Sequence, residues 1–331
     1  MMKQTIRNHR ECVTPLLLAM VLIAVYGLNA KLAEGAEPYP TKPIMVLNSS
    51  PAGSPADVMA RQVAQYAKKY LGQPMVVVTK PGGSGGVMFG ALLAEPADGY
   101  TISTITAALI TSFHGELKKD FSFDQFDYIV NVQREPYAIA VGGETPFKTM
   151  GELIEYAKKN PRLKIGGQGT GSQLHLTALA LSEEAGIQIS WVPFGGGADS
   201  ITNLLGGHIP SLVSSPTTSY PYAEAGKIRI LAVTGDQRLP YWKNIPTLKE
   251  LGYNIVVTQY RGFGAKKGLP PDVKTKLADA IKKAVSEPGF KDYMAKNHQA
   301  DAYMGPEEYP AMVRAEYDLM GKLMQKIERK K

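Results

Sequence analysis

Beyond residue 38 the chain alternates short apolar runs with stretches in which apolar residues recur every three to four positions. The runs at 44–47, Met75–Thr79, Thr101–Thr106, 126–133 and 137–141 predict strands, and 58–70 and 87–94 predict helices among them. Residues 149–159 carry Met150, Leu153, Ile154 and Ala157 on one stripe, the mark of an amphipathic helix. Strands follow at 163–165, 189–193, 213–215, 230–233 and 256–263, with helices at 174–185, 198–205, 273–285 and 306–327. Strands separated by helices predict an α/β fold built on doubly wound, mostly parallel sheets. The section 137–253 reads as a lobe of its own. Residues 37–136 and 254–331 make the other lobe, and the C-terminal helices, having no sheet of their own, return to it.

Two strand-to-helix junctions share a composition. After 44–47 comes Asn48-Ser49-Ser50-Pro51-Ala52-Gly53-Ser54-Pro55-Ala56-Asp57, and after 163–165 comes Gly166-Gly167-Gln168-Gly169-Thr170-Gly171-Ser172. Such a junction directs free backbone N–H groups and the positive end of a helix dipole at one point, which makes it an anion site. One junction falls in each lobe, so the pair is placed to grip the two ends of one small acid across a cleft at the strand C-termini.

Composition narrows the function classes. A chain of 331 residues with 44% hydrophobic content buries a sizeable core. The formal charge is +7, and the first 36 residues contribute Lys3, Arg7, Arg10 and Lys31 against Glu11 and Glu34, leaving +5 for the rest. No basic stripe interleaved with aromatics is present, so nucleic acid is not an expected partner. Lys3, Arg7 and Arg10, an apolar run from Val13 to Leu28, and small residues at Ala30, Ala33 and Ala36 have the order of a secretory signal peptide, with cleavage near Ala30 or Ala36. The one cysteine, Cys12, lies in this leader, so the exported chain has no thiol for a disulfide, a nucleophile or a thiolate metal site. That usage fits a periplasmic location. The scattered histidines give no metal-ligand spacing, and no cofactor or metal is expected.

A family resemblance rests on motifs spread over nearly the whole chain. Tyr39-Pro40-Thr41-Lys42-Pro43-Ile44, Asp57-Val58-Met59-Ala60-Arg61, Leu71-Gly72-Gln73-Pro74 and Pro96-Ala97-Asp98-Gly99-Tyr100 stand in order. Gly169-Thr170-Gly171-Ser172-Gln173-Leu174-His175, Val192-Pro193-Phe194, Leu204-Leu205-Gly206-Gly207 and Ile245-Pro246-Thr247-Leu248 continue it. In this the chain resembles the substrate-binding proteins of tripartite tricarboxylate transporters, the Bug family. The resemblance implies a two-lobe, flytrap-like periplasmic binding protein, monomeric and without catalytic activity. It would hold a small mono- or dicarboxylate on loop amides, hydroxyls and waters and deliver it to membrane permease subunits or a sensor.

The candidate ligand-binding residues follow from the junctions and the resemblance together. The first loop offers Ser49, Ser50, Ala52, Gly53, Ser54 and Asp57, although Ser54 and Asp57 can equally cap their own helix. Here the family has a Gly-Gly pair, and Pro55 removes one donor. The second loop offers Gly169, Thr170, Gly171 and Ser172, with His175 either facing the ligand or bracing the helix. Phe194, Gly196 and Gly197 form a third element, Phe194 either covering a ligand or packing in the core, and Ser215 closes strand 213–215. Gly195 stands where the family has Lys, which opens space for an aromatic or longer acid. Arg134 and Arg261, near the lobe crossings, either supply a cation or bridge the lobes. One rival class comes from Gly82-Gly83-Ser84-Gly85-Gly86, which fits the G-x-S-x-G turn of a serine hydrolase. It would need a histidine from His114, His175, His208 or His298.

Overall fold

The computed structural model describes residues 39–297, 299 and 301–328. The expected leader, Cys12 and His298 lie outside the described residues. All elements below belong to the compact unit that begins at Lys42.

In chain order the first part runs β1 (Ile44–Asn48), α1 (Pro55–Leu71), β2 (Met75–Thr79), α2 (Gly86–Ala94), β3 (Thr101–Thr106), α3 (Ala107–Ser112) and β4 (Phe126–Pro136). Next come β5 (Ala138–Gly142), α4 (Met150–Lys159), β6 (Leu163–Gln168), α5 (Gln173–Glu184), β7 (Ile189–Phe194), α6 (Gly197–Leu205), β8 (Ser211–Ser214), α7 (Pro216–Glu224) and β9 (Ile228–Val233). The chain ends with β10 (Thr258–Lys266), α8 (Pro271–Val285), α9 (Pro288–Lys296), β11 (Asp301–Met304) and α10 (Glu308–Glu328). The strands form a six-stranded sheet in the order β11-β4-β10-β3-β1-β2 and a five-stranded sheet in the order β7-β6-β8-β5-β9.

Pairing is parallel where a helix carries the chain back: β1 with β2 and β3, and β6 with β7 and β8. The remaining pairs are antiparallel. The expectation of mostly parallel sheets therefore holds for the strand–helix–strand part of each sheet and not for the rest. The reason is the crossover: β10 enters the first sheet after the excursion through the second and inserts between β3 and β4. Both faces of the second sheet are buried, with Ile139, Val141, Ile165 and Val213 in one core cluster. Ala138, Ala140, Leu212 and Ile230 lie in another.

A single residue, Tyr137, separates β4 from β5, and the return crossing is at Val257 and Thr258. Thr234 laces the two crossings. Its Oγ1 accepts the Tyr137 N–H at 2.8 Å and donates to the Val257 carbonyl, and its own N–H donates to the Tyr137 carbonyl at 2.9 Å. Helix α10 spans both cores. Tyr309 and Val313 pack with the first sheet's cluster, and Met320 and Leu323 pack with the second's. The helix thus bridges the two sheets' cores. Residues 301–304 add an edge strand that the sequence pattern did not reveal, because four residues are too few for a readable alternation.

Candidate functional site

A cleft of about 640 Å³ opens at the C-terminal ends of the central strands. One wall is Ser84, Thr111, Ser112, Glu116 and Gln259, from the first sheet's loops and strand β10. The other is the loop 168–174 with Gly197, Ser200, Ser215 and Thr218. Among the described residues the lining contains no Lys, Arg or His, and its one carboxylate is Glu116.

The loop 168–174 is built from the strand beneath it. A Cβ at Gly167 would stand 2.4 Å from Trp191 Cη2, and one at Gly166 would stand 2.8 Å from Phe194 Cε2. The two glycines thus let Trp191 and Phe194 of β7 lie across opposite faces of β6. Trp191 donates its Nε1–H to the Gly169 carbonyl at 3.1 Å and stacks on His175. His175 Nδ1 accepts the Gly171 N–H at 3.1 Å. Gly169 (φ 65°) and Gly171 (φ 75°) adopt the left-handed conformation that this tight course demands. Ser172 caps α5 by accepting the His175 N–H at 3.2 Å, and its hydroxyl proton goes to the Gln168 carbonyl at 2.6 Å. Among the described residues no acceptor engages the N–H groups of Thr170, Ser172, Gln173 and Leu174. All four residues line the cleft. Tyr137 Oη donates to Gln173 Oε1 at 2.6 Å and so ties the start of α5 to the lobe crossing. Burial pushes the Tyr137 phenol far above its usual range, so it acts only as a neutral donor.

The other helix starts are distinguished by whether the protein supplies its own anion. At α1, Asp57 is buried, accepts the Gly53 N–H at 2.9 Å, and pairs with Arg61 Nε at 2.9 Å. The Arg61 hydrogen bonds hold its carboxyl below the usual carboxylate range. Ser54 is the N-cap and Pro55 takes the first helical position, where a missing N–H leaves no intrahelical bond unmade. At α7, Glu135 reaches from β4 and places Oε1 on the Thr217 N–H at 3.0 Å and on its hydroxyl at 2.5 Å. Helix α5 has no acidic residue in its first turn, whereas α6 has no side-chain cap but carries Asp199 in its first turn.

Of the residues singled out from sequence, Gly169, Thr170, Gly171, Ser172, Gly197 and Ser215 line the cleft together. Ser215 is the N-cap of α7 and lies just beyond the strand it was expected to close. Gly196, beside Gly197, is the N-cap of α6 and is not in the lining. Ser49, Ser50, Ala52, Gly53, Ser54 and Asp57 stand outside the lining, on a loop stapled by buried Asn48, whose Oδ1 accepts the Ser50 N–H at 3.3 Å and whose Nδ2 donates to the Ser50 carbonyl at 3.0 Å. His175 is buried behind the loop. Phe194 is half-buried against the core of the second sheet. Arg134 pairs with Asp236 at 3.1 Å, a link between β4 and the segment after β9. Arg261 is buried on β10, where desolvation pulls its guanidinium below the ordinary value.

Ser84 has a different setting from a nucleophile's. Its hydroxyl donates to Glu116 Oε2, and among the described residues no histidine bonds to it. Two of its glycines answer to packing: a Cβ at Gly85 would stand 2.2 Å from Leu109 Cδ2, and one at Gly86 would stand 3.2 Å from Leu117 Cδ2. No metal-ligating cluster exists among the described residues.

Glu116, Thr111, Ser112 and Gln259 were not foreseen as cleft residues. The strand was read to its observed end at Thr106, but the six-residue helix α3 that follows directly is too short to show a helical period. The signal that divides them is Thr106, whose Oγ1 accepts the Leu109 N–H at 3.3 Å. Helix α7 was missed because two prolines, three Ser/Thr residues and two tyrosines leave it no apolar stripe.

Residues 59–329 match the model of the tripartite tricarboxylate transporter family receptor. The UPF0065 protein of the gbd 5′ region in Cupriavidus necator is 37% identical over 294 residues, 86% of this chain and 88% of that protein. A TctC solute-binding protein from Polaromonas superposes with a TM-score of 0.83 at 31% identity, covering 87% of this chain and 99% of that one. An R. palustris protein solved with adipate superposes with a TM-score of 0.65 at 25% identity, covering 87% and 97%.

Proposed function

This chain belongs to the receptors of the tripartite tricarboxylate transporter family, periplasmic solute-binding proteins with a two-lobe α/β fold and no enzymatic role, and on that premise we propose how it captures its ligand. A small carboxylate seats its carboxyl group on the free N–H groups of Thr170, Ser172, Gln173 and Leu174. The second lobe is then residues 137–253, and residues 37–136 with 254–331 close over the ligand from the other side, bringing the loop of Ser50, Gly53 and Ser54 toward it. The loaded receptor, exported with loss of a leader within residues 1–36, hands the acid to the permease subunits of such a transporter.

The observation that carries this reading is the contrast among helix starts. Those of α1 and α7 hold the protein's own Asp57 and Glu135, and at that of α5 four cleft-lining residues have amides with no acceptor among the described residues. A helix terminus contributes about 0.3–1 kcal/mol at an exposed site and up to about 2 kcal/mol when partly buried. Charge-assisted hydrogen bonds add about 1.5–3 kcal/mol each. Three or four of them, after ordering costs, reach the roughly 8 kcal/mol of micromolar binding. The adipate of the R. palustris relative is a ligand of this chemical class. A thermal-shift panel of aliphatic and aromatic mono- and dicarboxylates tests the reading. An acid at about 100 times its Kd adds about 2.7 kcal/mol and raises Tm. A panel in which no acid raises Tm overturns it.

A further inference from the structure

Among the described residues the one formal charge in the cleft lining is negative. Glu116 lies in the turn after α3, on the wall opposite the free amides. That turn is fixed from below: the Leu117 N–H donates to the Ser112 carbonyl at 3.0 Å, and Phe113 and Leu117 are buried on either side of the exposed Glu116. Its partner is fixed as well. Gly82, Gly83 and Gly85 hold positive φ, and Ser84 itself sits at φ 51°, so that the glycine-rich turn lies flat on Leu109 and Leu117 and delivers the Ser84 hydroxyl to Glu116 Oε2. Among the described residues no cation pairs with Glu116. Ser84 satisfies one of its carboxylate oxygens and leaves the charge uncompensated, facing a cleft whose other wall attracts anions.

We propose that Glu116, oriented by Ser84, is a specificity-determining residue that selects a ligand with one carboxylate and, at its other end, a protonated amine. The proposal rests on the carboxylate reading of the site above and adds a sign for the second end. A second carboxylate would meet Glu116 as a like charge in a partly enclosed space, where Coulomb repulsion is screened less than in bulk water. An ammonium group would meet it as an ion pair and donate hydrogen bonds to it. Specificity of this kind combines attraction for one ligand with repulsion of its rival. The neutral lining between the two ends, Thr111, Ser112, Gln259 and Ser200 among it, bears no charge that opposes the arrangement.

The test is isothermal titration of the full-length exported chain at neutral pH with three straight-chain series of three to eight carbons: monoacids, α,ω-diacids and ω-amino acids. The expected result is that the best ω-amino acid binds at least tenfold tighter than the diacid of equal length. In Glu116→Gln that preference falls to within about threefold while monoacid affinity is kept, and Ser84→Ala lies between the two. A diacid that matches or exceeds the amino acid in the wild type, or a preference that survives Glu116→Gln, overturns the proposal. Monoacid binding without amine-over-acid discrimination overturns the selector and leaves the carboxylate reading standing. No binding by any acid overturns both.

Discussion

His175 and Trp191 stack with ring centroids 4.8 Å apart and planes 20° from parallel, and together they hold the loop that bears the free amides. Trp191 fixes the Gly169 carbonyl and His175 fixes the Gly171 N–H. An acceptor at His175 Nδ1 requires that nitrogen to be unprotonated. Removing it frees the Gly171 N–H and lets the loop move. His175→Ala is expected to weaken carboxylate binding about tenfold, the size of one hydrogen bond near 1.4 kcal/mol. His175→Gln, which can still accept, recovers part of the loss. Titration calorimetry on both variants checks it, and equal affinity in all three proteins counts against the bracing role.

Trp191 also provides a reporter. It is one of two tryptophans, and Trp242 is buried elsewhere in the second sheet's core. In a Trp242→Phe background, carboxylate binding is expected to change the emission of Trp191 in a saturable way with the calorimetric Kd. A flat signal during proven binding would place the ligand away from this loop.

Leu174 allows one amide to be deleted. Proline is tolerated in the first turn of a helix and removes the N–H. Leu174→Pro is expected to bind carboxylates at least tenfold more weakly than Leu174→Ala, which controls for the lost side chain. Circular dichroism verifies that α5 persists. Equal affinity of the two variants would exclude the Leu174 amide as a contact.

Glu316 links stability to pH. Its Oε1 accepts the Thr258 N–H at 3.2 Å and hydroxyl at 2.7 Å beside the return crossing, and Oε2 is buried without a partner among the described residues. Burial raises its pKa from the usual 4.5 to about 8. The native state therefore keeps a proton that the unfolded chain releases above pH 4.5, so this group's contribution to stability falls as pH rises from about 4.5 to 8. The slope is at most about 1.4 kcal/mol per pH unit. Glu316→Gln is expected to flatten that slope and to be more stable than wild type at pH 8, measured by denaturant unfolding across pH 5–8. An unchanged slope would mean that Glu316 does not carry the dependence.

Asp57 has the opposite sign. Its carboxyl is held below the usual range by Arg61, with burial opposing. Its contribution is present above the unfolded carboxylate pKa and is lost as pH falls through the lower folded value. Asp57→Asn is expected to cost about 1–3 kcal/mol at neutral pH, since it removes a charged partner from Arg61 and Gly53. Denaturant unfolding at pH 7 checks it, and a loss below about 0.5 kcal/mol would contradict the assignment.

The strand–loop–helix units were legible because they obey local rules. Apolar runs, glycines and caps marked β1–α1 and β6–α5 within three residues of their ends. The loop 169–172 was legible as a glycine-rich strand-to-helix junction for the same reason. Which junction was open was not legible. Asp57 fills its own helix start from three residues away, as a cap does, but Glu135 reaches α7 from a strand 82 residues earlier in the chain, and no local pattern carries that pairing. Glu116 was hidden likewise. Its place in the cleft depends on α3, a helix too short to show a period, and on a glycine turn whose Gly85 and Gly86 pack on Leu109 and Leu117. The motif that drew notice there, G-x-S-x-G, was real as a pattern, and two of its glycines serve packing.

The most direct test of the central claim is a ¹⁵N–¹H spectrum of the protein titrated with a carboxylate that raises its Tm. The amides of Thr170, Ser172, Gln173 and Leu174 are expected to shift downfield together, with one saturation curve, as they gain a charged acceptor. Perturbations that saturate elsewhere while these four amides stay in place would contradict it.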